Sequence, residues 1–152
     1  MGEQLLHLVE QCLDRAGIAG AVDRLPPGPW RIANDLDAAS ATAAALGWAY
    51  GGYRFDRYRT TSRPPGSEAR LVPPARADMA HVRRVSAALS MARDMINTPA
   101  ADMTPARLAA EALSMAAARG ASGRELRGDE LLAGYPAIHA VGRASHRVPR
   151  LI

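Results

Sequence analysis

Ala92-Arg93-Asp94-Met95-Ile96-Asn97-Thr98-Pro99-Ala100-Ala101-Asp102-Met103-Thr104-Pro105 decides the fold, because one helix has to stop inside it and another has to start. Upstream, Met79, Val82, Val85, Leu89, Ala92 and Ile96 recur at intervals of three and four, the spacing of one helical face. A long amphipathic helix over residues 78–96 therefore runs into the junction. Asn97-Thr98-Pro99 ends it, since the proline ring disfavours the helical region for Thr98 and supplies no N–H to extend the ladder. Thr104-Pro105 opens the next helix, with a hydroxyl to accept an orphan N–H and a proline at the first helical position. Gly120, after Arg119, closes that second helix.

Toward the N-terminus, residues 37–48 are alanine-rich, with Asp35 or Asp37 available as a cap, and predict a helix running toward Gly51-Gly52. Trp30-Arg31-Ile32-Ala33 and Ala69-Arg70-Leu71-Val72 read as short strands after and before proline breakers. Leu5, Leu6, Val9, Leu13 and Ala16 form a stripe that predicts a helix over residues 3–16. Toward the C-terminus, residues 124–127 predict a strand and residues 129–133 a helical turn. Ala137-Ile138-His139-Ala140-Val141-Gly142 reads as a buried strand with His139 in the core, and Arg150-Leu151-Ile152 as the opening of another.

The chain has 152 residues, 48% of them hydrophobic, which is enough for one domain-sized core or two small halves. Its formal charge is +4, and all 19 basic residues are arginine. No mechanism that needs a lysine amine is open to these residues. Cys12 is the only cysteine, which excludes an intrachain disulfide or a CxxC pair and fits a reducing cytoplasm. The first residues, with Glu3, Glu10 and Asp14, lack the basic start and apolar block of a secretion signal. Every apolar run is broken within about 18 residues, so no membrane span is expected.

Few residues offer chemistry of their own. His7, His81, His139 and His146 form no HExxH pair, and none has a second ligand at useful spacing. Asp129-Glu130 are adjacent, so on a helix they point apart and suit the first-turn dipole rather than paired acid–base work. Tyr53 to Arg59 interleaves aromatic and basic residues. Arg54, Arg57, Arg59 and Tyr58 are the candidate nucleic-acid contacts, with guanidiniums for phosphate and a ring for stacking. The same alternation also suits a half-buried edge segment, with rings inward and charges outward.

Three blocks taken together, Leu46 to Phe55, Ala92 to Pro105 and Tyr135 to Ser145, resemble the leucyl (cytosol) aminopeptidase family of metallopeptidases. The likeness covers roughly residues 25–152. It implies an α/β architecture: a partial N-terminal α/β domain over residues 1–76, a linking helix over 77–98, and the first strands of a truncated catalytic α/β domain over 99–152. It further implies a hexameric, cytoplasmic enzyme that removes N-terminal residues from peptides, using two divalent metals, zinc or manganese, and a metal-bridged water. The family's metal ligands, carboxylates and a lysine, lie in motifs downstream of Ile152. No catalytic or metal-ligating residue is therefore assigned here, and the chain alone is expected to be inactive. A nucleic-acid-binding or oligomerisation module derived from the family is the alternative. Ala101 stands where the family's Asn-x-Pro-x-Asn junction places a second asparagine.

Overall fold

The computed structural model describes residues 4–6, 15–61 and 68–152. In chain order the elements are β1 (Gln4–Leu6), α1 (Arg15–Ala21), β2 (Gly28–Ile32), α2 (Ala38–Gly51), β3 (Ala69–Leu71), α3 (Met79–Asn97), α4 (Pro105–Ala118), β4 (Leu126–Arg127), α5 (Gly128–Gly134), α6 (Pro136–Gly142) and β5 (Arg150–Leu151). They divide into two compact units, residues 1–94 and 95–152.

The first unit is α/β. Its sheet has the order β1-β2-β3 and is parallel throughout, with Leu5 opposite Arg31 and Trp30 opposite Leu71. Parallel strands need helical crossovers, and α1 and α2 supply them. Asp37 starts α2 by accepting the Ser40 N–H at 2.7 Å. The buried face of α2 is built from Ala41, Ala44, Ala45, Leu46 and Gly47, and apart from Leu46 these are small enough to let neighbouring backbones approach. At its end Gly51 faces the backbone of Ala19 on α1, and a Cβ there would fall on that residue's carbonyl. Ile18, Ile32 and Ala44 form one buried cluster. Ala45, Leu46 and Val82 form a second, and Leu71 packs against both.

The long helix follows the expected face only in part. Val82 is 4% exposed, but Leu89 is 38% and Ile96 81% exposed, so the apolar stripe loses its cover toward its C-terminal end. Asp78 caps the helix by accepting the His81 N–H at 2.9 Å.

In the second unit Thr104 accepts the Arg107 N–H at 3.1 Å with Pro105 in the first helical turn, as the sequence requires. The other end of α4 carries the two bonds of a Schellman stop, Ala121 N–H to Ala116 O and Gly120 N–H to Ala117 O, with Gly120 at φ 71°. β4 and β5 pair antiparallel, Leu126 opposite Leu151. Leu131 on α5, wholly buried, and Ala109 on α4, 1% exposed, are its buried hydrophobic residues.

Three expectations are corrected. Gln4–Leu6 is a strand rather than part of a helix over residues 3–16, because pairing with β2 outweighs a local stripe that suits either state; residues 7–14 of that reading lie outside the described residues. Residues 137–142 are helical, not a buried strand. Pro136 sits in the first turn of α6, alanines at 137 and 140 favour the helix, and His139 is half-buried in the last turn. Tyr53 to Arg59 does not keep rings inward and charges outward throughout: Tyr53 and Phe55 are half-buried, but so is Arg54, Tyr58 is exposed, and the Arg59 N–H closes a turn onto Asp56 O at 3.1 Å.

Candidate functional site

The four candidate nucleic-acid contacts follow directly after α2. Arg54 is half-buried and anchored: its guanidinium pairs with Asp23 and donates to the carbonyls of Gly51 at 2.7 Å and Tyr53 at 2.9 Å. That geometry makes it a clasp holding the end of α2 to the turn after α1. Arg59 lies 3.7 Å from the Asp56 carboxylate, Arg57 sits over the Phe55 ring at 5.9 Å, and Tyr58 packs tilted against the same ring at 5.9 Å. Arg57, Tyr58 and Arg59 are exposed and adjacent, while Arg54 is turned into the fold. The carboxylates of Asp23 and Asp56 beside these cations oppose an incoming phosphate.

The resemblance implies metals, which need several carboxylate, imidazole or thiolate donors brought together. Among the described residues, no group of three or more His, Cys, Asp or Glu side chains is placed to hold one. The described residues do not fit the implied ions. Among the described residues, the carboxyls of Asp37 and Asp78 are held below the ordinary carboxylate range chiefly by the backbone N–H groups of Ser40 and His81. They are helix caps, not acid–base groups.

After Thr98 the junction turns on a set of backbone hydrogen bonds. Thr98 is buried at 6% exposure, and the N–H groups of Asp102 and Met103 both return to Pro99 O, at 2.9 and 2.8 Å. Arg147, far along the chain, donates from its two terminal nitrogens to Ala100 O at 2.8 Å and Ala101 O at 3.2 Å. A planar guanidinium suits two successive carbonyls, and it fixes the turn from outside where Ala101 has no side-chain amide to do so. Val148 and Arg150 continue the wall beside Thr104, leaving a small cavity of about 180 Å³. Arg150 pairs with Glu125, both about four-fifths buried. Sequence reasoning missed Arg147, and no spacing signal marks it: one arginine in a polar loop looks like any other.

A second concavity, of about 300 Å³, lies in the first unit outside the C-terminal ends of β2 and β3, where the loops after the two strands face each other. It was not legible in the sequence, which shows the loops but not that they converge.

The chain is thus a two-unit α/β protein, with a parallel three-stranded sheet before a long helix and a proline-marked junction after it. Residues 3–74 match the model of the M17 aminopeptidase N-terminal domain, and residues 90–152 match the catalytic domain of the cytosol aminopeptidase family. The chain belongs to the cytosol aminopeptidase family. The match from residue 3 extends the likeness beyond the expected residue 25.

A probable cytosol aminopeptidase of Rhodococcus erythropolis is 32% identical over 147 residues, covering 88% of this chain and 29% of that protein. The structure of the cytosol aminopeptidase from Coxiella burnetii superposes with a TM-score of 0.81 at 32% identity, over 93% of this chain and 31% of that one. The bottromycin maturation enzyme BotP in complex with Mn superposes with a TM-score of 0.75 at 31% identity, over 90% of this chain and 31% of that one. The chain thus spans under a third of the length of the relatives it matches. No described helix is long and apolar enough to cross a membrane.

Proposed function

We infer that these residues serve a metal-dependent aminopeptidase that removes N-terminal amino acids from peptides. They supply its N-terminal domain, the linking helix over residues 77–98 and the opening of its catalytic domain, residues 99–152. The carrying observation is the tandem match: N-terminal-domain and catalytic-domain models fall on one chain in order, over residues 3–74 and 90–152, the second taking in the helix-breaking junction. The manganese in the BotP complex supports a divalent metal in the parent enzyme, manganese or zinc. Its ligands lie outside these residues. Assembly into a homo-hexamer and residence in the cytoplasm belong to the same reading.

A chimera tests it. Residues 1–152 replace the matching segment of the Rhodococcus erythropolis relative, and a leucyl amide substrate is supplied with manganese or zinc. The chimera is expected to hydrolyse it, while the chain alone stays at the buffer blank. A folded but inactive chimera overturns the functional reading. Chelator-sensitive turnover by the chain alone overturns the placement of the metal ligands elsewhere.

A further inference from the structure

We propose that the cleft outside the C-terminal ends of β2 and β3 binds a small zwitterion, a free α-amino acid with an aliphatic side chain. In open parallel sheets the loops leaving the carboxyl ends of the strands form the crevice where ligands are taken. Here those loops are residues 33–37 and 72–77, and with the end of β2 they border an open cleft of about 300 Å³, room for a single amino acid.

The charges select the ligand. Arg31 and Arg76 line the cleft, and so does the carboxylate of Asp35. Arg76 and Asp35 stand 3.7 Å apart, beyond the roughly 2.7–2.9 Å of a closed charge-assisted bond, so each keeps capacity for a ligand group. A carboxylate alone would meet Asp35 with like charge, and an amine alone would meet the arginines. A molecule bearing both satisfies both walls: its carboxylate goes to Arg76 and its ammonium to Asp35. Beside them Val72 and the edge of Ile32 give an apolar lining for an aliphatic side chain.

The walls are set before any ligand arrives. Val72 N–H donates to Trp30 O at 2.8 Å, Asp78 N–H to Thr42 Oγ1 at 3.0 Å, and Arg76 to Leu36 O at 3.4 Å. These bonds hold the two loops to the sheet, to α2 and to each other, which lowers the ordering cost of binding. The site lies wholly in the first unit and does not rest on the peptidase reading.

The test titrates the whole chain with L-leucine and follows the methyl NMR signals of Ile32 and Val72. Saturable shifts are expected, with isovaleric acid and isoamylamine, which carry one charge each, binding at least about tenfold more weakly. Arg76→Gln and Asp35→Asn alter exposed side chains, so circular dichroism is expected to stay unchanged while leucine affinity falls about tenfold. Absence of a saturable leucine shift overturns the proposal. Equal binding of either single-charge analogue, or variants that bind leucine as well as the parent, overturns it too.

Discussion

The Tyr53 hydroxyl donates to Asp94 Oδ1 at 2.7 Å, tying the turn after α2 to the last residue of the first unit, 41 positions on. Arg93 adds to the tie: its guanidinium lies 4.0 Å over the Tyr53 ring and donates to Tyr50 O at 3.3 Å. Two consecutive residues of α3 thus grip one aromatic residue by its hydroxyl and its face. Tyr53→Phe removes the hydrogen bond and keeps the stacking. It is expected to cost about 1 kcal/mol in chemical denaturation, whereas Tyr53→Ala, which loses both, costs clearly more. Equal losses in the two variants would contradict the division of labour.

Arg147 makes a sharper prediction, because the geometry of its head matters and not only its charge. Arg147→Lys keeps a cation but offers a single compact ammonium to two carbonyls. Both Arg147→Lys and Arg147→Ala are expected to speed hydrogen exchange at the amides of Asp102 and Met103, with lysine restoring less than half of the protection. Full protection in the lysine variant would show that charge alone suffices.

Gly51 and Gly20 lie in neighbouring helices and predict opposite signs. A methyl at Gly51 meets the Ala19 backbone, which cannot swing away as a side-chain tip would, so Gly51→Ala is expected to cost about 1–3 kcal/mol. At Gly20 an added Cβ has nothing within 4 Å, and Gly20→Ala is expected to stabilise α1 by about 0.5–1 kcal/mol. Thermal denaturation of the two variants reads both.

The caps give a pH dependence. Folding lowers the carboxyl pKa of Asp37 and Asp78, so the unfolded chain binds more protons in the acid range than the folded one. The stability they supply is complete above the unfolded pKa and is lost as pH falls through the folded value. Double replacement, Asp37→Asn with Asp78→Asn, keeps capping amide oxygens and is expected to flatten the acid limb of stability against pH without losing helix content at neutral pH. An unchanged acid limb would assign that limb to other carboxylates.

Leu131 is the largest fully buried side chain of the second unit. Leu131→Ala is expected to remove about 2–5 kcal/mol. The loss should appear as faster exchange in α5 and β4, with the amides of β2 unaffected; loss spread evenly over both units would mean that they unfold as one.

Some of this was written in the chain itself. The α3 period, the proline stop after Thr98, the Thr104-Pro105 start and the Gly120 stop are local rules, each decided within a turn or two by backbone sterics and capping. The α/β class and the family came instead from the resemblance of three blocks, Leu46 to Phe55, Ala92 to Pro105 and Tyr135 to Ser145, taken together. Short apolar runs were a different matter. Residues 4–6 and 137–142 fit strand and helix alike, and which state won depended on whether a sheet edge stood beside them, as β2 does for Leu5 and Leu6.

Sites depended still more on what lies far off in sequence. Arg54 carried the composition of a nucleic-acid contact, yet Asp23 and two nearby carbonyls engage it. Arg147 carried no signal and proved to hold Ala100 and Ala101. Local sequence determined where helices and strands start and stop, because propensity, capping and proline act over a few residues. Only the tertiary structure decided which arginines are held by the fold and which face a cleft, because the partner of a long, flexible cation is chosen by what the fold brings beside it.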